Sequence, residues 1–218
     1  MSDESKTRTA TRLLAGAYAL DTAQDNIDYY RDFASVYDEE FAAGLSYQYP
    51  EVLNEIYQSQ ATPDDTPVID IGCGTGLVGA LLDLPPALVD GVDISGEMLA
   101  AARKKSIYGA LYQVDLTTGT GELPSQYGAV LSAGTFTFGH LGAEVLPQML
   151  SLGRPGCLYC IGVNSQHFNA QGFDAVLQSM QSEKLITRPL LEERKIYAAQ
   201  SSEHAQDTAT VLVYRKIA

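Results

Sequence analysis

Cysteine is scarce, bases are few, and no stretch of 18 apolar residues occurs anywhere in this 218-residue chain. Without such a stretch no helix can cross a bilayer, so no membrane partner is expected. Three cysteines are too few, and odd in number, for a disulfide framework; they suit a reducing cytoplasm, the expected location. The opening Met1-Ser2-Asp3-Glu4-Ser5-Lys6 is polar, unlike a secretory signal. Bases number 14 against 27 acids, a net charge of −13, and no basic run exceeds Arg103-Lys104-Lys105. A nucleic-acid binder needs a basic face to replace counterions, so nucleic acid is not an expected partner. No internal repeat or low-complexity segment is present.

What is present is enough apolar material for a core, 45% of residues. Residues 1–66 hold 13 of the acids and 4 of the bases. Within them, Tyr29, Phe33, Tyr37 and Phe41 recur every four residues with charges opposite, which predicts an amphipathic helix. A second short helix is expected from about Pro50 to Gln58. The turn-rich Ala61-Thr62-Pro63-Asp64-Asp65-Thr66-Pro67 then divides a tail and helical lid, 1–66, from a second unit, 67–218.

From Val68 short apolar runs alternate with helical stretches. Strands are expected at Val68–Ile71, Leu88–Ile94, Tyr108–Val114, Ala129–Ala133 and Cys157–Val163. Helices are expected at Leu77–Leu84, Gly96–Lys105 and Ala143–Leu152, with Gly153-Arg154-Pro155-Gly156 as a turn. A further helix carries Phe173, Val176, Leu177 and Met180 on one face. Two longer strands, 185–198 and 209–217, should pair antiparallel at the end. This alternation predicts an α/β fold around a mostly parallel sheet.

The strongest local signal is Val68-Ile69-Asp70-Ile71-Gly72-Cys73-Gly74-Thr75-Gly76-Leu77. An apolar strand runs into three alternate glycines and then a helix, a pattern that lets backbone approach a ligand closely. Asp93, 23 residues after Asp70, ends the second strand, where it can accept from both hydroxyls of an adenosine ribose. Asp115, 22 residues further, ends the third, where it can accept from an adenine amine. Gly74-x-Gly76-x-x-Gly79 also satisfies the dinucleotide fingerprint, so an NAD-dependent oxidoreductase is an alternative. Asp70 before the loop, where it can face a cationic amino-acid tail, favours S-adenosylmethionine (SAM).

These residues resemble the class I SAM-dependent methyltransferases. Asp70-x-Gly72-x-Gly74-x-Gly76 is similar to that family's first motif, and Val92-Asp93-Ile94-Ser95 to its ribose motif. Tyr30-x-x-Phe33-Ala34-x-x-Tyr37-Asp38 resembles a helix that covers the cofactor in many members. Ala129-Val130-Leu131-Ser132-Ala133-Gly134-Thr135-Phe136 resembles a subgroup related to the Williams–Beuren-region methyltransferase-like proteins. The resemblance implies a Rossmann-like three-layer α/β/α sandwich, with a seven-stranded sheet whose C-terminal strand is antiparallel. It implies SAM contacts from Tyr30, Tyr37, Asp70, Gly72, Cys73, Gly74, Gly76, Asp93, Ile94, Met98, Asp115, Leu116, Ser132 and Ala133. The acceptor, expected to be a small molecule, would meet Thr135, Phe136, His140 and Asn164. His140 is the candidate proton acceptor because its ordinary pKa lies near neutrality. A SAM-binding partner protein without turnover is a further alternative.

Cys157-x-x-Cys160 carries no metal expectation: residues three apart on a strand point to opposite faces, and no second Cys or His pair lies nearby.

Overall fold

The computed structural model describes residues 47–197 and 206–217, together with Gly16, Asp25, Asp28 and Tyr29. The expected lid helix bearing Tyr30 and Tyr37 lies outside the described residues.

In chain order the elements are α1 (Tyr49–Gln60), β1 (Val68–Ile71), α2 (Leu77–Leu81), β2 (Val89–Asp93), α3 (Gly96–Lys105), β3 (Ala110–Gln113), β4 (Tyr127–Phe136) and α4 (Val145–Met149). They continue with β5 (Gly153–Asn164), α5 (Ser165–Ala170), α6 (Phe173–Ser182), β6 (Leu190–Lys195) and β7 (Thr208–Arg215). The seven strands form one sheet in the order β3-β2-β1-β4-β5-β7-β6. Strands β1 to β5 are mutually parallel, and β7 runs antiparallel to both β5 and β6. This is the expected mostly parallel, Rossmann-like sheet.

Alternation along the strands builds two cores, one on each face. Val68, Ala129, Leu131, Leu158, Cys160, Val211 and Val213 pack with Leu53, Ile56 and Tyr57 of α1 and Val78 of α2. Ile69, Ile71, Val130, Cys157, Tyr159, Ile161, Leu212 and Tyr214 pack with α4 and α6 on the other. Cys157 and Cys160 thus fall on opposite faces, and no group of metal-ligating side chains occurs among the described residues. Helix α1, expected as the end of the lid, is instead a layer helix: Leu53, Ile56 and Tyr57 are buried against the sheet. No helix among the described residues is long and apolar enough to cross a membrane.

Local chemistry explains several boundaries. Ser95 caps α3 by accepting from the Met98 N–H at 3.2 Å, and Ser106 ends it with a left-handed conformation. Helix α4 is shorter than the expected 143–152, because the last turn tightens into three-residue spacings (Leu150 N–H to Pro147 O, Leu152 N–H to Met149 O). Strand β5 begins at Gly153, not Cys157. The Arg154–Gly156 turn residues form an irregularity within the strand, between the pairs Tyr127–Gly153 and Ala129–Leu158. The penultimate strand covers 190–195, not 185–198; Leu185 N–H bonds back to Met180 O and closes α6.

Candidate active site

The carboxyl ends of β1, β2, β3 and β4 open onto one cleft. Its lining includes Gly72, Cys73, Gly74, Asp93, Ile94, Met98, Asp115, Leu116, Ala133 and Thr135. These residues come from four separate segments, and the parallel order β3-β2-β1-β4 brings their loops together.

The glycine loop is held from both sides. Cys73 N–H donates to Val92 O at 3.0 Å and Gly74 N–H to Asp93 Oδ2 at 2.8 Å, tying the loop to β2. Opposite, the Ser132 hydroxyl donates to Ile71 O at 2.9 Å and that of Thr135 to the same oxygen at 3.2 Å. Gly72 has a φ of +64°, and an added Cβ would collide with the Thr135 side chain, so glycine is required there. A bulge in β4 puts Thr135 in reach: Ser132 pairs with Ile161 but Phe136 with Val163, so residues 133–135 protrude toward the cleft.

Asp93 accepts from Gly74 N–H and, through Oδ1, from Ser95 N–H at 2.8 Å. Burial pushes its carboxyl pKa up against these backbone donors. A carboxylate has about four lone-pair sites, so each oxygen keeps capacity for a hydroxyl. Asp115 Oδ1 accepts from the Thr117 N–H at 2.9 Å and its hydroxyl at 2.6 Å. Between these acids stand Ile94, Met98, Val114 and Leu116, an apolar slot of the kind an adenine ring fills. No lysine or arginine lines the cleft among the described residues. The strand-end acids and the apolar slot between them suit the cationic SAM.

At the other end stand Tyr47, Pro50, Gly134, Thr135, Gly139, His140 and Leu141. Nδ1 of His140 lies 3.0 Å from Phe138 O, which favours the tautomer with the proton on Nδ1 and the accepting lone pair on Nε2. Burial holds the ring's pKa below its ordinary value, opposed by the Phe138 carbonyl and assisted by His167. Tyr47 has no sequence signature for this role; an added Cβ at Gly134 would meet its hydroxyl at 2.7 Å.

Five expected site residues are placed elsewhere. Gly76 is outside the cleft lining, and an added Cβ there would meet Ile107 at 2.9 Å and Tyr108 at 3.0 Å. Asp70 lies beneath the loop, 1% exposed, outside the cleft lining. Ser132 is buried under the loop, its hydroxyl donating to Ile71 O, and does not line the cleft. Phe136, past the bulge, returns to the core and stacks edge-on against Phe173. Asn164 caps α5, its Oδ1 accepting from Gln166 N–H at 3.0 Å and His167 N–H at 3.1 Å. Phe136 and Asn164 are thus corrected from acceptor-contacting to structural positions.

A seven-stranded sheet of this order, with a glycine loop and two strand-end acids around one cleft, defines a SAM-dependent methyltransferase fold. The chain belongs to the class I SAM-dependent methyltransferase family. The family model described as "Methyltransferase domain" matches residues 68–156. Methyltransferase-like protein 27 of Homo sapiens is 30% identical over 166 residues, covering 73% of this chain. The chain spans 66% of that relative's length. Magnesium protoporphyrin IX methyltransferase from Synechocystis PCC 6803, solved with bound SAM, shares the fold at a TM-score of 0.53 and 18% identity. That match covers 78% of this chain and 79% of the other. A TehB-like SAM-dependent methyltransferase from Corynebacterium glutamicum ATCC 13032 matches at a TM-score of 0.57 and 18% identity, covering 87% and 98%.

Proposed function

We propose that the chain transfers the methyl group of SAM to a small organic acceptor that enters at the Thr135–His140 end of the cleft. The observation that carries this reading is the placement of Gly72, Gly74, Asp93 and Asp115 around one cleft. SAM supplies a methyl on a sulfonium, already activated for in-line displacement by a nucleophile. The chain's residues bind and align. Asp93 accepts from the ribose hydroxyls, Asp115 from the adenine amine, and the slot of Ile94, Met98 and Leu116 excludes water from the ring. Such alignment is worth about 7–11 kcal/mol, so no covalent nucleophile is required.

The acceptor end combines apolar surface with three polar side chains, the hydroxyls of Tyr47 and Thr135 and the His140 ring, which favours a small organic molecule. The net charge of −13 works against a polyanionic acceptor. His140 is the proposed proton acceptor for a nucleophile that must lose a proton, because burial holds its pKa below the ordinary value and its Nδ1 is engaged by Phe138 O, which makes Nε2 the basic nitrogen. That nitrogen is enclosed, so the acceptor must press in among the lining residues to meet it.

Calorimetric titration with SAM, its demethylated product and NAD tests the cofactor assignment. Turnover of labelled SAM with cell-extract metabolite fractions, followed by mass spectrometry, tests the acceptor class. Preferential NAD binding overturns the reading. SAM binding with no methylated product in any fraction overturns it in favour of a non-catalytic SAM-binding partner.

A further inference from the structure

Beneath the glycine loop lies a buried carboxylate–phenol pair that the reaction just described does not use directly. The Tyr108 hydroxyl donates to Asp70 Oδ2 at 2.7 Å. Asp70 is 1% exposed, and its Oδ1 has no hydrogen-bond partner among the described residues. An unpaired buried carboxylate oxygen is costly, so the Tyr108 bond is the principal side-chain compensation the acid has.

The chain makes room for this tyrosine with two glycines. An added Cβ at Gly79 would meet the Tyr108 hydroxyl oxygen at 2.5 Å and its ring at 2.6 Å. At Gly76, an added Cβ would meet the ring at 3.0 Å and Ile107 at 2.9 Å. Gly79 is also the third glycine of the string that satisfies a dinucleotide fingerprint. Here its missing side chain faces a tyrosine from the approach to β3, which explains that glycine without a pyrophosphate.

We propose that Tyr108 is a positioning residue for the cofactor loop. It fixes the Asp70 carboxylate at the base of the loop and occupies the niche left by Gly76 and Gly79, so that the loop holds the shape that receives SAM. The inference rests on the reading that this cleft binds SAM. Asp70 connects the two ends of the device: its backbone pairs with Gly91 of β2 and Leu131 of β4, while its side chain reaches Tyr108. The titratable groups facing Asp70 are Tyr108, Cys73 of the loop and Asp93 at the end of β2. Burial pushes the Asp70 carboxyl up to about 7, and the Tyr108 bond and the Gly79 N–H pull it back while Asp93 adds to the rise. A cationic cofactor above an acid poised in this range binds more tightly as the acid ionises.

The test is SAM affinity by calorimetry across pH 5.5–8.5 for the wild type, Tyr108→Phe and Gly79→Ala. Phenylalanine keeps the ring and the packing, so the fold is retained, and ligand-free thermal melts check this. Tyr108→Phe should weaken SAM binding roughly tenfold, the scale of a hydrogen bond to a charged group. It should also move the midpoint of the affinity–pH curve upward, because the remaining carboxylate has lost a donor to its charged form. Gly79→Ala, which displaces the tyrosine, should reproduce the loss of affinity. A Tyr108→Phe protein with wild-type affinity and an unmoved midpoint overturns the proposal, even if it melts lower, since that pattern is packing alone. A wild type that binds no SAM overturns the cofactor reading beneath it, and the proposal with it.

Discussion

Arg215 grips Asp65 through both guanidinium nitrogens, Nη1 at 2.7 Å from Oδ1 and Nη2 at 3.0 Å from Oδ2. The pair joins the last strand to the turn between α1 and β1, residues 150 positions apart. The same guanidinium donates to Gln60 O at 3.1 Å and Gly156 O at 2.9 Å, so it fastens the end of α1 to the sheet. Asp65 is 3% exposed and also accepts from the Thr62 N–H and hydroxyl.

This clasp makes the first prediction. Burial opposes ionisation of Asp65, but the Arg215 and Thr62 bonds outweigh it and hold the carboxyl pKa below its ordinary value. A depressed folded pKa stabilises at pH above the unfolded value and is lost as pH falls through the folded one. Asp65→Asn should therefore lower stability at pH 7 by about 2–3 kcal/mol, since it leaves a half-buried guanidinium without its counter-charge. The deficit should shrink below about pH 4. Urea melts at pH 7 and pH 3 check this; an equal deficit at both values refutes the electrostatic account.

The clasp also marks where sequence reasoning stops. The parallel sheet was legible because each strand, loop and helix carries its own local signature, and α3 matches its expected span because Ser95 and Ser106 are local signals. The Asp93–Asp115 part of the cleft was legible for the same reason: strand-end acids at regular spacing lie on adjacent loops. Thr135 lines the cleft and Phe136 does not, because a bulge turns consecutive residues to opposite destinations, and no local pattern announces it. Tyr47, Tyr108 and the Asp65–Arg215 pair leave no mark in the sequence for a simpler reason. Their partners are distant in sequence, and a tyrosine hydroxyl or an arginine has no periodicity that names its acceptor.

Asp70 carries the second prediction, on the ligand-free protein. Its pKa is raised from 3.8 to about 7, first by burial. Between those values the folded chain keeps a proton that the unfolded chain releases, so this group makes stability fall as pH rises across the window. Asp93, also raised by burial, acts in the same direction. Asp70→Asn removes one of the two contributions while keeping the shape. The slope of melting temperature between pH 4 and pH 7 should become less negative in the variant. An unchanged slope would mean that Asp70 ionises in the fold as readily as in the unfolded chain.

Asp93 carries the third. Its carboxylate is pre-oriented by two backbone N–H groups, Gly74 and Ser95, before any ribose arrives. Asp93→Ala removes the ribose acceptor and frees the glycine loop from β2 at once. Calorimetry should show SAM binding weakened by more than tenfold, because a bidentate charge-assisted contact exceeds the ~1.4 kcal/mol which that factor represents. Asp93→Asn, which keeps the acceptor oxygen, should fall between the two. Affinity equal to wild type in the alanine variant would remove Asp93 from the site.

The last prediction concerns His140 and the chemistry of the acceptor. The ring is neutral at pH 7, since burial lowers its pKa, and its Nδ1 is engaged by Phe138 O at 3.0 Å. If Nε2 takes a proton from the acceptor, His140→Gln should reduce turnover by about 10²-fold or more. SAM affinity should be spared, because His140 stands at the acceptor end of the cleft and not beside Asp93 or Asp115. The pH–rate curve supplies the second readout. A base with a lowered pKa gives a wild-type acidic limb below the ordinary histidine range of about 6.5, and that limb should vanish in the variant. Loss of rate with the limb intact would assign His140 to shaping the 137–141 loop. Full turnover would leave an acceptor that arrives already ionised, a carboxylate or a thiolate, for which alignment over the methyl group is all the chain must supply.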